Sequence, residues 1–225
     1  MTPEEQAAAR ARAEELRKWR LSASTDKFKA FRKQFSDAGI DINVLHLRFG
    51  QESTDDEIDY FFQMAKAIGA KAISSLDSVS MSKRIGAFAD KHRMLVGYHN
   101  HSNVTNPEEF CTPQSWETAM SYAKYNGINL DVGHWMAGNS ISPVPFMKQY
   151  HNRITNLHLK DRKKDQGPNM PWGQGDTPLI DILQTMRREK YKFPADIELE
   201  YATPQGSDTV TEVSRCLQYC KKALA

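Results

Sequence analysis

Three cysteines in 225 residues are too few, and odd in number, for a disulfide framework. Cys216 and Cys220 stand one helical turn apart and Cys111 is remote, a spacing that matches no zinc finger, so the three read as buried or inert thiols. No stretch approaches ~18 consecutive apolar residues, so no membrane-spanning helix is expected. Met1 to Arg20 lacks the apolar centre of a secretion signal. The expected location is therefore cytoplasmic, unless a longer parent chain is exported. Charge of one sign is also scarce: 30 Lys and Arg face 28 Asp and Glu, for a net +2. The basic residues are scattered among acids, which argues against nucleic acid or a membrane surface as partner. With 40% hydrophobic and 26% charged residues, the composition is that of a globular protein, and the length fits one domain over residues 1–225.

What is present is a regular alternation. Thr2-Pro3-Glu4-Glu5 starts a helix with a cap, a proline and two acids. Ser24 to Ala38 is a second helix, with Phe28, Phe31 and Phe35 on one face and Gly39 as its stop. Strands follow at 40–49, 71–76, 94–101, 128–132, 154–160 and 195–201. Helices fall between them at 54–68, 82–92, 112–124, 145–150 and 179–189, with a last one at 208–223. Short strands rich in Ile, Leu and Val, each followed by a helix, predict a parallel sheet with helices outside. A closed barrel of this kind needs eight strands, and six are visible. The expected fold is a parallel (β/α) barrel without its first two βα units, which either lie in a longer parent sequence or leave the wall open. The segment Lys160 to Thr177, rich in Gly, Pro, Lys and Asp, is expected to be a lid.

Four strands end in metal-type ligands: Tyr98-His99-Asn100-His101, Leu130-Asp131-Val132-Gly133-His134, Leu157-His158-Leu159-Lys160-Asp161 and Ile197-Glu198-Leu199-Glu200. A parallel barrel assembles its active site from such strand ends. Asp131 is a hard ligand, and His134 suits a transition metal; the competing reading is a helix cap beside a surface histidine. His158 and Lys160 share one face of a strand, where burial is costly unless they meet a metal, an acid or a substrate oxygen. Glu198 and Glu200 also share a face and repel unless a cation stands between them; a solvated rim would equally relieve them. His99 and His101 form a further pair on one face, suited to a metal or sugar hydroxyls, or merely structural. His46 is a weaker candidate for the pocket wall.

These motifs, with Trp172-Gly173-Gln174-Gly175-Asp176, resemble the xylose isomerase-like barrel superfamily, and within it the sugar phosphate isomerase/epimerases (AP endonuclease family 2-like). The resemblance runs over nearly the whole chain. It implies one divalent ion, Mn²⁺ first with Zn²⁺, Mg²⁺ or Co²⁺ as alternatives, at Asp131, His158 and Glu198. Where the family carries a first glutamate, this chain has His99, which resembles the branch with a Tyr-His-x-His motif. His134 matches a substrate-binding histidine. The implied chemistry is isomerisation or epimerisation of a ketose or related sugar through an enediolate, the ion stabilising the charge and a side chain moving the proton. Glu198, His134 and Lys160 are the candidate catalytic groups. His101, His134, Trp135, Lys160, Trp172, Glu200 and His46 are candidates for holding the sugar, the tryptophans by stacking. The rival is a metal-dependent lyase or dehydratase acting on a keto-sugar or 3-keto-glycoside, favoured by His99 and the additional histidines. A DNA-repair nuclease would need more ligands and a basic groove. A truncated, non-catalytic barrel and a homo-oligomer remain open.

Overall fold

A computed structural model describes residues 1–225. Two N-terminal helices, α1 (Pro3–Ser22) and α2 (Asp26–Asp37), lead into β1 (Val44–Leu47). The alternation then runs α3 (Asp55–Ile68), β2 (Ala72–Ser75), α4 (Met81–His92), β3 (Val96–His99), α5 (Pro113–Tyr122) and β4 (Asn126–Asp131). Helices α6 (Val132–Asn139) and α7 (Val144–Tyr150) precede β5 (Ile154–Leu159). A short antiparallel pair, β6 (Asp161–Arg162) and β7 (Asn169–Met170), comes before α8 (Leu179–Glu189), β8 (Ala195–Ile197) and α9 (Thr209–Ala223).

Local chemistry sets the boundaries. Thr2 and Thr54 each close a capping box with the glutamate three residues on, Glu5 and Glu57. Gly69 ends α3 at φ +83°, a left-handed conformation that costs glycine nothing. The strands are shorter than the apolar runs. β1 occupies 44–47 of the expected 40–49, and β8 stops at Ile197, so Glu198 and Glu200 lie just beyond the sheet.

Six parallel strands pair in the order β1-β2-β3-β4-β5-β8 and curl into an incomplete barrel, as the strand count predicts. The outer edges of β1 and β8 have no strand partner, so the wall is open where a closed barrel would carry two more strands. The core lies between sheet and helices and includes Ile58, Phe62, Ile73, Ile85, Ile128, Leu130 and Leu157. Helix α1 is held to α3 by charge. Arg17 Nε and Arg20 Nη1 donate to the two carboxylate oxygens of Glu57 at 2.8 and 2.7 Å, with Glu57 itself buried.

Residues 132–139 form α6, a helix that the sequence pattern does not mark. One expectation needs correction. The segment after Lys160 is not a free lid, because the buried Asp161 carboxylate accepts from the amides of Gly173 (2.8 Å), Gly175 (2.9 Å) and Thr177 (3.2 Å), folding the segment back as the β6–β7 hairpin and a tight turn. A buried carboxylate saturated by backbone amides pins a loop.

Candidate metal and sugar site

The parallel register brings the candidate residues to one end of the sheet. His99 on β3 pairs with Asn129, and Asp131 on β4 pairs with His158 on β5. Paired residues on parallel strands face the same side, so His99, Asn129, Asp131 and His158 converge inside the barrel. His99, Asp131 and His158 each bring one ligand atom within 4.8 Å of the others. His99, His101 and His134 form a second such group that shares His99.

Asp131 does two jobs. Its Oδ1 accepts from the His134 amide at 2.7 Å and so caps α6, joining the capping and metal-ligand readings in one residue. Its Oδ2 is fully buried and accepts no aligned hydrogen bond; Lys160 Nζ lies 2.8 Å away, His99 Nε2 3.9 Å and His134 Nε2 4.0 Å. Asn100, also buried, fixes the aspartate backbone by accepting from its amide (2.8 Å) and donating to its carbonyl (3.0 Å). Complete burial pushes the Asp131 carboxyl up to about 7, against the pull of Lys160.

Lys160 is 2% exposed, and its ammonium also reaches Glu200 (2.6 Å) and Glu198 (3.4 Å). Burial opposes its charge, but Asp131, Glu200 and Glu198 outweigh that and raise its pKa. The two glutamates that would repel each other are thus relieved by this lysine. The lysine stem reaches the site over Gly133, where a Cβ would stand 2.6 Å from Lys160 Cγ.

His158 Nδ1 is 2.8 Å from Glu198 Oε2, while its Nε2 lies 3.3 Å from Asn129 Nδ2. A histidine that donates Nδ1–H to a carboxylate presents Nε2 as a lone pair, the usual posture of a metal ligand. Burial works against the His158 cation, but Glu198 outweighs it and the pKa rises. Glu198 belongs to neither group of converging ligand atoms; it stands behind His158 and beside Lys160.

His99 makes no hydrogen bond to the protein, and burial, with His158 and His101 nearby, pushes its pKa down to about 3. His134 is pushed down to about 2, by burial first and then by Lys160, His101 and Arg162. Both rings are therefore neutral in the folded chain. Arg162 Nη1 donates to His134 Nδ1 at 2.7 Å, so the proton of the neutral ring sits on Nε2, the nitrogen facing Asp131. His101 is half exposed at the rim, 3.7 Å from Glu109. His46 lies on the interior side of β1, bonded to Ser74 Oγ at 3.2 Å and exposed through the open wall.

The tryptophans are placed elsewhere. Trp135 is 1% exposed in the core, stacked among Trp116 and Phe146, with its Nε1 donating to the Ile141 carbonyl; it does not face a sugar. Trp172 packs edge-on to Tyr219 of α9 and lines a separate cleft with Tyr201 and Cys216. Sequence reasoning missed Asn129 and Arg162. Arg162 follows the His158–Asp161 motif directly, and Asn129 sits one period of two before Asp131, so position alone could have flagged both.

The donor set fits a divalent ion. The buried Asp131 Oδ2, paired with the Lys160 ammonium, also faces the rings of His99 and His158, a carboxylate-and-imidazole set of the kind transition-metal ions take.

The family described as xylose isomerase-like TIM barrel matches residues 7–220, and the chain belongs to it. No curated protein sequence matches the chain. Among solved structures, a xylose isomerase domain protein from Planctomyces limnophilus is similar at TM-score 0.66 and 17% identity, over 89% of this chain and 83% of that one. A 3-keto-D-glucoside 4-epimerase from E. coli is similar at TM-score 0.64 and 11% identity, over 88% and 85%. The IOLI protein with a bound zinc atom is similar at TM-score 0.63 and 17% identity, over 93% and 83%. At these identities the likeness is one of fold.

Proposed function

We propose that this chain is a divalent-metal-dependent sugar isomerase or epimerase, with the ion held by His99, Asp131 and His158. The observation that carries the reading is the convergence of His99, Asp131 and His158 from three neighbouring strands, with one ligand atom of each within 4.8 Å of the others. Membership of the xylose isomerase-like family, and sugar epimerases among its structural neighbours, support the substrate class. An ion bound there would supply Lewis-acid stabilisation of the negative charge that develops when a proton leaves carbon beside a carbonyl. The protein's own groups do the rest. Glu198, beside His158 and Lys160, is the group assigned to take the proton. Lys160 keeps the carboxylates from repelling one another. Asn100 and the α6 cap hold Asp131 still.

A lyase reading has one observation in its favour: Arg162 leaves the Nε2–H of His134 pointing into the site, suited to donating a hydrogen bond to a departing oxygen. Incubation of the metal-loaded protein with a panel of ketoses in D₂O, followed by NMR, tests both. Deuterium at the carbon beside the carbonyl with the skeleton intact supports isomerase or epimerase action. Loss of a substituent transfers the assignment to a lyase. No exchange with any metal and any ketose refutes the proton-abstraction reading.

A further inference from the structure

Beside the converging histidines lies a second space that the proposed metal chemistry does not use. It is a cleft of about 340 Å³ whose inner wall is His99 and His101. Neither Asp131, His158, Lys160 nor Glu198 lines it, so this lobe shares only His99 with the proposed metal group. Its outer walls come from the loops after β1, β2 and β3, which bring Arg48 and Gln51, Ser78, and Asn106 with Glu108 and Glu109. Ten of its thirteen lining residues are polar or glycine. The one aromatic, Phe110, is 2% exposed and spends its face stacking on Tyr98, so it offers no platform to a flat aromatic group. The ring of His99 lines this lobe with its side chain only 8% exposed and no hydrogen-bond partner in the protein.

Resting on the isomerase or epimerase reading above, we infer that the substrate is an uncharged glycoside: its reacting ring lies over His99, Asp131 and His158, and a second sugar ring fills this lobe. Three features lead there. First, the volume sits at the low end of the roughly 300–1,000 Å³ typical of ligand pockets, room that a single sugar held at the metal group would leave to water. Second, the lining interleaves amide, hydroxyl, carboxylate and guanidinium groups, the donors and acceptors a polyol needs on every side. Third, two carboxylates (Glu108 and Glu109) line the lobe against the single guanidinium of Arg48, and a third, Asp77, lies buried in its wall with its oxygens held by the Phe49 and Gly50 amides. That balance repels a phosphate and tolerates neutral hydroxyls.

The test compares a keto-disaccharide, the same ketose alone and its phosphate ester on the metal-loaded protein. The expected order of kcat/KM is disaccharide, free ketose, phosphate, with the disaccharide ahead by about tenfold or more. Charge inversion by Glu108→Arg, at an exposed loop position, should lower the disaccharide-to-phosphate ratio by about tenfold. A phosphate that outperforms both neutral sugars, or a ratio that Glu108→Arg leaves unmoved, overturns the inference. Saturation-transfer NMR with the unmodified disaccharide separates the two proposals. Contact at its second ring without turnover of any sugar keeps the cleft assignment and sinks the reaction. Turnover with no contact at the second ring does the reverse.

Discussion

Lys160→Met would remove one positive charge from among three carboxylates and keep the stem that runs over Gly133. At an effective dielectric of about 20, each ammonium–carboxylate contact at these distances is worth roughly 5–6 kcal/mol before desolvation. Most of that is offset by the cost of burying the ammonium, and the Glu200 pair is screened because its carboxylate is 41% exposed. What remains is the penalty of leaving the fully buried Asp131 without a counter-charge, about 3–5 kcal/mol. For a chain of this length that lowers the melting temperature by roughly 6–20 °C. The loss should depend on metal. Without Lys160 the carboxylates are free to take a dication, so Zn²⁺ or Mn²⁺ should raise the melting temperature of the variant more than that of the wild type. Thermal unfolding of both proteins in EDTA and in each metal is the measurement. A variant within about 1 kcal/mol of wild type in EDTA would refute the energetic reasoning. Equal metal responses would refute the placement of the ammonium at the mouth of the ion site.

His99→Glu restores oxygen where this chain has nitrogen, and should lower the preference for Zn²⁺ over Mn²⁺ by roughly tenfold in competition titrations; an unchanged ratio removes His99 from the ligand set. Asp161→Ala should release the 161–177 segment at a local cost of about 2–4 kcal/mol, seen as faster hydrogen exchange at Gly173 and Gly175. Asp59 is held well below the ordinary carboxylate range: burial acts against this, but Lys91 and His92 at 2.6 and 2.7 Å prevail. Its stabilising contribution is present above the unfolded pKa of about 4 and is lost as pH falls toward the lower folded value. Asp59→Asn should therefore be destabilised at pH 7 by a gap that stays level down to the unfolded pKa of about 4 and narrows only as pH falls below it in urea unfolding; a gap that closes above that pH, or never narrows, would contradict the sign.

The strand ends were legible because buried parallel strands are continuous apolar runs, and a polar group closing such a run must lie at the rim. His99, Asp131 and His158 follow from that logic alone. Trp135 did not. It is the neighbour of His134 in sequence, but Val132–Asn139 is helical, and each helical step turns the side chain by about 100°, from the site into the core. That helix is short and carries two glycines, so its pattern is weak, and the residue that starts it was already assigned to a metal. The relief of Glu198 and Glu200 by Lys160 was not legible either. Sequence spacing places all three on one side of their strands but does not say whether an ammonium or a metal ion stands between them.

The cap on α6 has a consequence for how this site can be silenced. Alanine at position 131 would remove charge and helix start together, so a dead protein would not distinguish lost chemistry from an unwound α6. Asparagine caps as well as aspartate does and keeps the bond to the His134 amide, while withdrawing the anionic oxygen that faces the histidines. In Asp131 the start of a helix and the centre of a site are one carboxylate. Any lineage that abandoned the chemistry while keeping the fold would be expected to drift there toward residues that still cap.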